Sequence, residues 1–473
     1  MGVCGGSAYG LGVIPERFAT LIDEVGPVAD AFDAAGVPLY LVGGIVRDAL
    51  VGLPLNSDAD IDLTTPARPE QIKKLVAPIA DALWTQGERF GTIGLKVGDR
   101  SFEITTHRAE AYRPDSRKPE VAFGDDIETD LARRDFTVNA MALRVPEPEL
   151  IDPHGGAGDL VSQTLRTPMS PEESFSDDPL RMLRAARFIA GHRLEPTPEL
   201  VAAVRAMASR LEIVSAERIR DELDKLLVTS DPSAGLWFVV DTGLADVFLP
   251  ELPAMRLEQD PIHHHKDVLA HTIAVVAKTR PERIVRLAAL LHDVGKPKTR
   301  SFTDDGVTFH HHEVVGARMA RDRMQALKYS NDDIAKVRKL VYLHLRFHTY
   351  GMGWTDSAVR RFVRDAGDEL RELIDLTRSD CTTRNQRKAA RLSRRMDELE
   401  ERIAALREQE ELDALRPDLD GNQIMEHLGL GPGRHVGEAL SFLLDLRLEE
   451  GPLGEEEARR RLDAWWAQHR PRS

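Results

Sequence analysis

Short apolar runs, separated by turns rich in glycine and aspartate, fill the first third of the chain. Such runs are typical of strands, whereas apolar residues at three- and four-residue spacing are typical of helices. The pattern predicts strands at Leu39–Val42, Ile61–Leu63, Thr92–Val97 and Phe102–Thr105, and a helix at Glu70–Leu83. The N-terminal part of the chain is therefore predicted to be an α+β domain.

From Asp177 onward the pattern becomes helical and stays so. Apolar residues recur with helical spacing in four segments, which are Leu180–Ala190, Thr197–Arg210, Ala216–Leu227 and Arg283–His292. The segment Arg384–Leu415 is charged, rich in alanine and leucine, and free of glycine and proline. It predicts one long exposed helix.

Composition excludes several classes of protein. The 473 residues are 42% hydrophobic and 30% charged, as in a globular domain. No apolar run approaches the roughly 20 residues that span a bilayer, which excludes an integral membrane protein. With 63 basic and 78 acidic residues the net charge is −15. This excludes a globally basic nucleic-acid coat protein, but not an enzyme that binds nucleic acid through local charge.

The two cysteines, Cys4 and Cys381, are too few for a disulfide-stapled secreted domain. Met1–Gly12 is rich in glycine but has neither lysine nor arginine. We therefore interpret residues 1–15 as a disordered tail rather than a secretory signal. A reducing compartment, the cytoplasm, is the predicted location.

Two acidic residues are the first candidates for chemistry. Asp60 and Asp62 are separated by one apolar residue, and alternate residues of a strand share a face. Paired carboxylates are ligands that Mg²⁺ takes, with substrate phosphates completing its shell. Upstream, Gly43 and Gly44 join a strand to a helix, where backbone N–H groups can approach an anion and Arg47 could reach a phosphate. Taken alone, the paired acids are more typical of a solvated strand face, and the double glycine of a tight turn between a strand and a helix.

Further motifs follow along the chain. Arg133–Ala140 reads RRDFTVNA, Asp152–Leu160 reads DPHGGAGDL, Asp177–Phe188 reads DDPLRMLRAARF and Glu217–Ile219 reads ERI. Together with GGIVRD at Gly43–Asp48 and the Asp60/Asp62 pair, this series resembles the bacterial class II CCA-adding tRNA nucleotidyltransferases and their poly(A) polymerase relatives. The resemblance covers residues 30–230.

The resemblance implies a polymerase-β-like nucleotidyltransferase head, an all-α neck, an HD-type body and a helical tail. It implies that Asp60 and Asp62 are catalytic and hold Mg²⁺. Together with the double glycine, it predicts these nucleotide contacts: Gly43, Gly44, Arg47, Arg134, Asp178, Arg181, Arg184 and Arg187. The family usually has glutamate where this chain has Asp177, so the role of that residue stays open.

The neck residues suit the selection of cytosine and adenine. Both bases present an exocyclic amine beside a ring-nitrogen acceptor, whereas guanine and uracil present a carbonyl beside a ring N–H. A carboxylate next to a guanidinium would match cytosine and adenine. Asp178, Arg181 and Arg184 are three residues apart, so on a helix each would share a face with the next. Leaving such groups unpaired by a wrong base costs about 1–3 kcal/mol each. Arg187 lies further round and could serve structure.

The predicted reaction transfers CMP and AMP from CTP and ATP to the 3′ end of tRNA, with release of pyrophosphate. Glu103 is a possible third carboxylate, although a surface position is the commoner arrangement. By resemblance, Glu88–Leu95 and the loop Arg108–Asp130 favour CCA addition. The alternatives are a poly(A) polymerase, a protein that is mainly an HD phosphohydrolase and, least favoured, a purely RNA-binding protein.

A second constellation lies in the helical part. The sequence HDVGK at residues 292–296 resembles the HD metal-dependent phosphohydrolases. The resemblance implies that one divalent metal, of open identity, is bound by His271, His292, Asp293 and Asp380. His312 and His344 are candidates for a second ion or for phosphate contact. A single histidine more often packs or caps, but four residues in this order favour a metal site, with damaged RNA ends as the predicted substrate.

A basic stripe lies on one face of the long predicted helix, made of Arg384, Arg387, Lys388, Arg391 and Arg394. It can follow an RNA backbone despite the negative net charge. The alternative is a solvated face paired with downstream acids. The predicted partners are tRNA, CTP and ATP, without a membrane, and the oligomeric state is left open. The predicted domains are the head at 16–170, the neck at 171–255, the HD domain at 256–395 and a tRNA-binding tail at 396–473.

Overall fold

The computed structural model describes residues 16–54, 60–107, 123–257, 267–303, 306–381, 386–410 and 416–469. The predicted disordered tail, residues 1–15, lies outside them. The chain forms two compact units. Unit 1 comprises the residues up to 226 together with 234–248, and unit 2 comprises 227–233 and the residues from 249 onward. In the described parts of the chain, no helix has the length and apolar character needed to cross a membrane.

Unit 1 is built on a mixed sheet. Its strands are β1 (Leu39–Val42), β2 (Ile61–Thr65), β3 (Ala82–Trp84), β4 (Thr92–Val97), β5 (Arg100–Thr106), β6 (Ala142–Val145) and β7 (Leu150–Ile151). The strand order is β3-β4-β5-β2-β1-β6-β7. Strands β2 and β5 pair in parallel, and the other neighbours pair antiparallel. The four strands predicted from the sequence are confirmed.

Helices cover the sheet and continue beyond it. They are α1 (Glu16–Asp33), α2 (Gly44–Val51), α3 (Pro69–Val76), α4 (Ile127–Ala132), α5 (Gly156–Val161), α6 (Pro171–Asp177), α7 (Leu180–His192), α8 (Pro198–Met207), α9 (Ala216–Leu227), α10 (Ser233–Asp241) and α11 (Leu244–Phe248). Two short strands, β8 (Thr164–Leu165) and β9 (Glu195–Pro196), pair in parallel and both contact α7. The core lies between the sheet and α1, α2 and α3, where Ile61 and Phe102 are at most 1% exposed.

The helix predicted over Glu70–Leu83 is wrong in its second half. Helix α3 ends at Val76, and Leu83 lies in β3. Pro78 explains the early end, since proline lacks a backbone N–H and disfavours helical backbone in the residue before it.

Unit 2 is helical. Its helices are α12 (Glu251–Ala254), α13 (Val268–Lys278), α14 (Arg283–Leu291), α15 (Lys296–Thr299), α16 (His312–Ala326), α17 (Asn331–Leu343), α18 (Asp356–Ala366), α19 (Leu370–Asp380), α20 (Gln386–Glu410), α21 (Gly421–Leu428), α22 (Arg434–Glu450) and α23 (Glu455–His469). A hairpin of β10 (Ser301–Thr303) and β11 (Gly306–Thr308) follows α15. The predicted α+β head followed by helical domains is confirmed.

The sequence predicted an exposed helix at this position, but α20 has one buried face. Met396, Leu399, Ile403 and Leu406 are at most 4% exposed and recur at helical spacing. They form one buried face, because α18 and α19 pack against α20. Helices α21, α22 and α23 pack around a separate core that includes Ile424 and Leu443. The finer domain bounds stay predictions.

Candidate functional site

Three carboxylates lie together on the open face of the sheet. Asp60 immediately precedes β2, Asp62 lies on β2, and Glu103 is the register partner of Asp62 on β5. Desolvation by the surrounding protein raises the pKa of Asp62, although its side chain keeps access to solvent; Arg134 opposes the rise and Asp60 adds to it. Burial, and then the charges of Asp62 and Asp60, raise the pKa of Glu103. Glu103 therefore belongs to an acidic group whose donor set fits a divalent cation.

Gly43 brings a backbone turn up to this group. It follows β1 and precedes α2 with a φ of 78°, a conformation that favours glycine. A Cβ at this position would lie 3.4 Å from Arg134 Nη1 and 3.8 Å from Asp62 Oδ2. Arg134 also donates to Asp130 Oδ2 at 3.1 Å. Residues from three distant motifs thus meet where the start of α2 and a guanidinium can receive an anion.

Arg47 is turned into the protein. Its Nη1 donates to Asn139 Oδ1 at 2.6 Å, and its Nε donates to Asp48 Oδ1 at 2.9 Å. Its guanidinium carbon lies 5.4 Å from the centre of the Phe188 ring. Arg47 therefore ties α2 to the RRDFTVNA segment and to α7, and its contact with a nucleotide stays a prediction.

Asp135 joins the RRDFTVNA segment to α7. Its Oδ2 accepts hydrogen bonds from Arg184 Nε at 2.9 Å and Nη2 at 2.6 Å. Its Oδ1 accepts from Asn139 Nδ2 at 3.0 Å and from the Phe136 backbone N–H at 2.9 Å. Burial acts to raise the pKa of Asp135, but the charge of Arg184 and the hydrogen bonds from Asn139 and Arg184 together outweigh it and lower the pKa. A buried anion with four donors is a rigid anchor for Arg184.

The structure corrects the predicted placement of Asp178. Helix α7 begins at Leu180, and Asp178 precedes it in extended backbone, so Asp178 does not share a helix face with Arg181. Its Oδ2 accepts from Arg218 Nη2 at 2.7 Å, and its Oδ1 accepts from the Leu180 N–H at 3.1 Å. Arg218, in the ERI motif, therefore holds the carboxylate.

Arg181 and Arg187 bind different partners. Arg181 donates from Nη1 to Ser174 Oγ at 2.9 Å and from Nη2 to the Arg133 carbonyl at 2.5 Å. Arg187 Nε donates to Glu222 Oε2 at 2.8 Å. This ion pair agrees with the structural role that the position of Arg187 on the helix suggested. The nucleotide contacts of both arginines stay predictions.

Three arginines of the predicted RNA stripe, Arg387, Arg391 and Arg394, are exposed on α20. Within the described ranges none of them forms an ion pair. Arg384 lies outside the described residues, as does the side chain of Lys388.

Two acids downstream of the stripe bind elsewhere. Arg378 Nη2 donates to Asp397 Oδ1 at 2.7 Å, and Arg378 Nε donates to Glu400 Oε1 at 2.9 Å. These two acids are therefore engaged by Arg378 rather than by the stripe, and the choice between an RNA contact and a solvated face stays a prediction.

The HD constellation converges in unit 2. His271 lies on α13, His292 and Asp293 follow α14, and α19 ends at Asp380. His271 Nε2 lies 2.9 Å from Asp380 Oδ1 and 3.6 Å from Asp293 Oδ2. His292 Nε2 lies 3.1 Å from Asp293 Oδ2. The fold therefore brings the four predicted metal ligands together.

Two further histidines complete the cluster. His312 opens α16 and His344 follows α17, and with Asp293 their ligand atoms lie within 4.8 Å of one another. Burial lowers the pKa of His344 to about 3, so its ring is neutral. Burial also acts to lower the pKa of His292, but the charge and hydrogen bond of Asp293 and the charge of Asp380 together outweigh it and raise that pKa. Buried imidazole and carboxylate donors of this kind fit a transition-metal centre.

A cavity of about 710 Å³ opens onto the cluster and is lined by several of its members, including His271, His344 and Asp380. Lys296 and His348 line it as well. Lys296 Nζ donates to Asp293 Oδ2 at 2.6 Å, and His348 Nε2 lies 3.7 Å from Asp380 Oδ2. The volume is in the range of small-ligand sites, roughly 300–1,000 Å³.

Sequence reasoning assigned no role to Asp135, Lys296 or His348. Asp135 and Lys296 lie within the RRDFTVNA and HDVGK motifs, and their place in those motifs was the available signal. His348 stands in no motif, and only its approach to Asp380 identifies it.

Three family models match parts of the chain. Residues 39–166 match the poly A polymerase head domain, and residues 193–255 match a probable RNA and SrmB-binding site of polymerase A. Residues 263–407 match the HD domain.

Similarity to individual proteins extends over nearly the whole chain. An A-adding tRNA nucleotidyltransferase of Deinococcus radiodurans is 34% identical over 449 residues, which cover 92% of this chain and 96% of that protein. A CCA-adding enzyme of Latilactobacillus sakei is 38% identical over 228 residues, 48% of this chain and 55% of that protein. The crystal structure of the Bacillus stearothermophilus CCA-adding enzyme in complex with CTP has the same fold, with a TM-score of 0.69 at 22% identity over 96% of this chain and 99% of that one. The chain therefore belongs to the tRNA nucleotidyltransferase/poly(A) polymerase family, as a member that carries an HD domain.

Proposed function

We propose that this nucleotidyltransferase completes the 3′ end of tRNA by adding CCA, taking CMP from CTP and AMP from ATP. The observation that carries the proposal is the meeting of Gly43, Asp62 and Arg134, in a chain that aligns with a tRNA nucleotidyltransferase over 92% of its length. Together they supply backbone N–H groups, a carboxylate and a guanidinium. These are the groups that a metal-bound triphosphate needs.

Asp60, Asp62 and Glu103 are the residues that would hold the divalent cation, which we propose to be Mg²⁺. When bound, the cation would neutralise phosphate charge and acidify the attacking hydroxyl. Arg134 and the turn at Gly43 would hold the triphosphate with its α-phosphate facing the tRNA 3′ oxygen. That oxygen forms the new P–O bond as the bond to pyrophosphate breaks.

Asp178 and Arg181 are the proposed readers of the base. Arg218 holds the carboxylate of Asp178, and the guanidinium of Arg181 is held by Ser174 and a backbone carbonyl. A wrong base that leaves such fixed polar groups unpaired loses about 1–3 kcal/mol of binding free energy per group. This supports selection of cytosine and adenine by the protein, without a nucleic-acid template.

An extension assay tests the proposal. The protein with Mg²⁺ receives a tRNA lacking its last three nucleotides, or one ending in CC, with CTP, ATP or both. We expect two C residues from CTP alone, CCA from both nucleotides, and a single A on the CC-ending tRNA. A variant with Asp60→Ala and Asp62→Ala should lose every addition and keep RNA binding.

The D. radiodurans relative is named for A addition, which supports a second candidate. An A-adding enzyme would extend only the CC-ending tRNA and would ignore CTP. A long ladder of A residues on any RNA would instead identify a poly(A) polymerase. Most of the loop Arg108–Asp130, which favoured CCA addition, lies outside the described residues.

We further propose that the HD centre is a metal-dependent phosphohydrolase acting on cyclic or terminal phosphates of RNA ends. Support comes from its imidazole and carboxylate donors beside a cavity of about 710 Å³, where Lys296 and His348 could contact a phosphate. A bound metal would supply an activated water. Metal-loaded protein should hydrolyse these phosphates, and a His292→Ala variant should not. No hydrolysis with any of several divalent ions would contradict the proposal.

We also propose that the α20 stripe contacts the tRNA backbone. Replacing Arg387, Lys388, Arg391 and Arg394 by glutamine should weaken binding and reduce its dependence on salt, because fewer counterions are released. Arg402→Gln is the matched control on the same helix, since Arg402 already donates to Asp356 at 2.8 Å. An unchanged salt dependence would rule out the stripe. The cytoplasmic location stays a prediction from the cysteine content.

A further inference from the structure

A tryptophan lies on the same open face of the sheet as the three carboxylates of unit 1. Four register partners form one row across the sheet, which are Trp84 on β3, Gly94 on β4, Glu103 on β5 and Asp62 on β2. Register partners in neighbouring strands point to the same face. Ile93, next to Gly94 along β4, points to the other face, into the core.

Gly94 allows the indole of Trp84 to lie across β4. A Cβ at Gly94 would be 1.9 Å from Nε1, 2.3 Å from Cε2 and 2.5 Å from Cδ1 of Trp84. The pyrrole ring of the indole therefore fills the space that a side chain at this position would take. Gly94 is buried beneath it, whereas Trp84 keeps part of its surface exposed. Two strand spacings, about 10 Å, separate this ring from the strand that carries Asp62.

The order of the strands separates two sides of the acidic group. Strands β1 and β5 flank β2 on opposite sides. The turn at Gly43, which we propose to hold the triphosphate, follows β1. In phosphoryl transfer the attacking oxygen and the leaving group lie roughly in line on opposite sides of the phosphorus. The RNA 3′ oxygen must therefore approach from the side of β5 and β4, where the indole of Trp84 lies.

We propose that the indole of Trp84 stacks on the base of the 3′-terminal nucleotide of the RNA and holds its 3′ oxygen at the acidic group. Stacking on an aromatic ring tolerates every base, because every base has a π-face. This suits an RNA end whose last base changes as each nucleotide is added. The inference rests on the proposed nucleotide addition and names Trp84 as an RNA-binding residue for it.

A fluorescent terminal base tests the contact without any reaction. A tRNA that lacks its last three nucleotides carries 2-aminopurine as its terminal base, and its fluorescence is titrated with the full-length chain. Stacking quenches this base, so we expect quenching that Trp84→Ala removes and Trp84→Phe largely keeps. Leu83→Ala is the matched control and should quench fully, because Leu83 precedes Trp84 on the same strand and pairs with the core residue Leu95.

Steady-state addition measures the contribution of the contact. Trp84→Ala should raise KM for tRNA about tenfold and leave KM for CTP unchanged. A tRNA whose terminal nucleotide lacks its base should raise KM equally with the unchanged chain and have no further effect in Trp84→Ala, because both changes remove one interaction. Gly94→Ala, which would displace the indole, repeats the test should Trp84→Ala misfold.

The two proposals fail in different ways. Absence of quenching with the unchanged chain, full quenching in Trp84→Ala, or a rise of KM for CTP in place of tRNA would overturn the stacking contact. Additive effects of Trp84→Ala and the missing base would overturn it as well. A chain that quenches the terminal base through Trp84 but adds no nucleotide would refute the proposed function and leave the contact standing.

Discussion

Replacing Asp135 by asparagine should disturb both folding and nucleotide binding, to extents that the structure sets. The Asp135 side chain is 8% exposed and Arg184, its partner, is 33% exposed. Asparagine keeps the size but removes the charge, and its amide leaves one fewer acceptor for Arg184. Breaking a buried ion pair costs about 3–5 kcal/mol, and water at Arg184 recovers part of this. We therefore expect the free energy of unfolding to fall by about 2–3 kcal/mol.

Arg184 is a predicted nucleotide contact, and without its partner it should lose the position that this contact needs. We expect KM for CTP and ATP to rise about tenfold, equivalent to about 1.4 kcal/mol of binding. Urea unfolding and steady-state addition on the same preparations measure the two effects. Asp159→Asn is the matched control, because the Asp159 side chain is also 8% exposed and binds Arg166, which is not a predicted nucleotide contact.

The control should lose a similar free energy of unfolding and keep its KM. If Asp135→Asn loses stability with unchanged KM, or if both variants raise KM alike, the assignment of Asp135 as the anchor of Arg184 is wrong.

Three further predictions concern stability. A Cβ at Gly156 would lie 2.1 Å from a backbone carbonyl oxygen, so Gly156→Ala should lower the free energy of unfolding by about 3 kcal/mol or more. Gly158→Ala is the control and should cost little, because a Cβ there would have nothing within 4 Å. Equal melting temperatures of the two variants would contradict this prediction. Arg286 is 1% exposed and donates to the backbone carbonyls of Thr279 and Ser230. Arg286→Met should therefore lower the free energy of unfolding, measured in urea, by about 3 kcal/mol, and a loss below about 1 kcal/mol would contradict this role. Burial, and then the charge of Arg47, lower the pKa of His192 to about 4. Because this pKa lies below the unfolded value of about 6.5, protonation of His192 destabilises the fold. About 3 kcal/mol of the free energy of unfolding is present above pH 6.5 and is lost as the pH falls from about 6.5 to 4. His192→Gln should flatten the dependence of stability on pH over that range.

Local pattern was sufficient for most of the elements and for the candidate metal-binding carboxylates. Asp60 and Asp62 flank a buried isoleucine, and the two-residue repeat of a strand puts both on its open face without reference to the rest of the fold. The errors of element prediction were local too. Pro78 ends α3 early. The apolar residues of α20 are buried by α18 and α19, and the sequence does not show that these helices pack there.

The sequence determined by itself which residue types stand in which motif, and hence the family and the candidate ligands. Only the tertiary structure decided which of them meet. Asp178 pairs with Arg218, 40 positions away, and not with Arg181, because α7 begins only at Leu180. Asp293 likewise came to lie beside histidines of other helices through the packing of those helices. Spacing along the chain controls contacts within one element, whereas contacts between elements depend on how their buried faces pack.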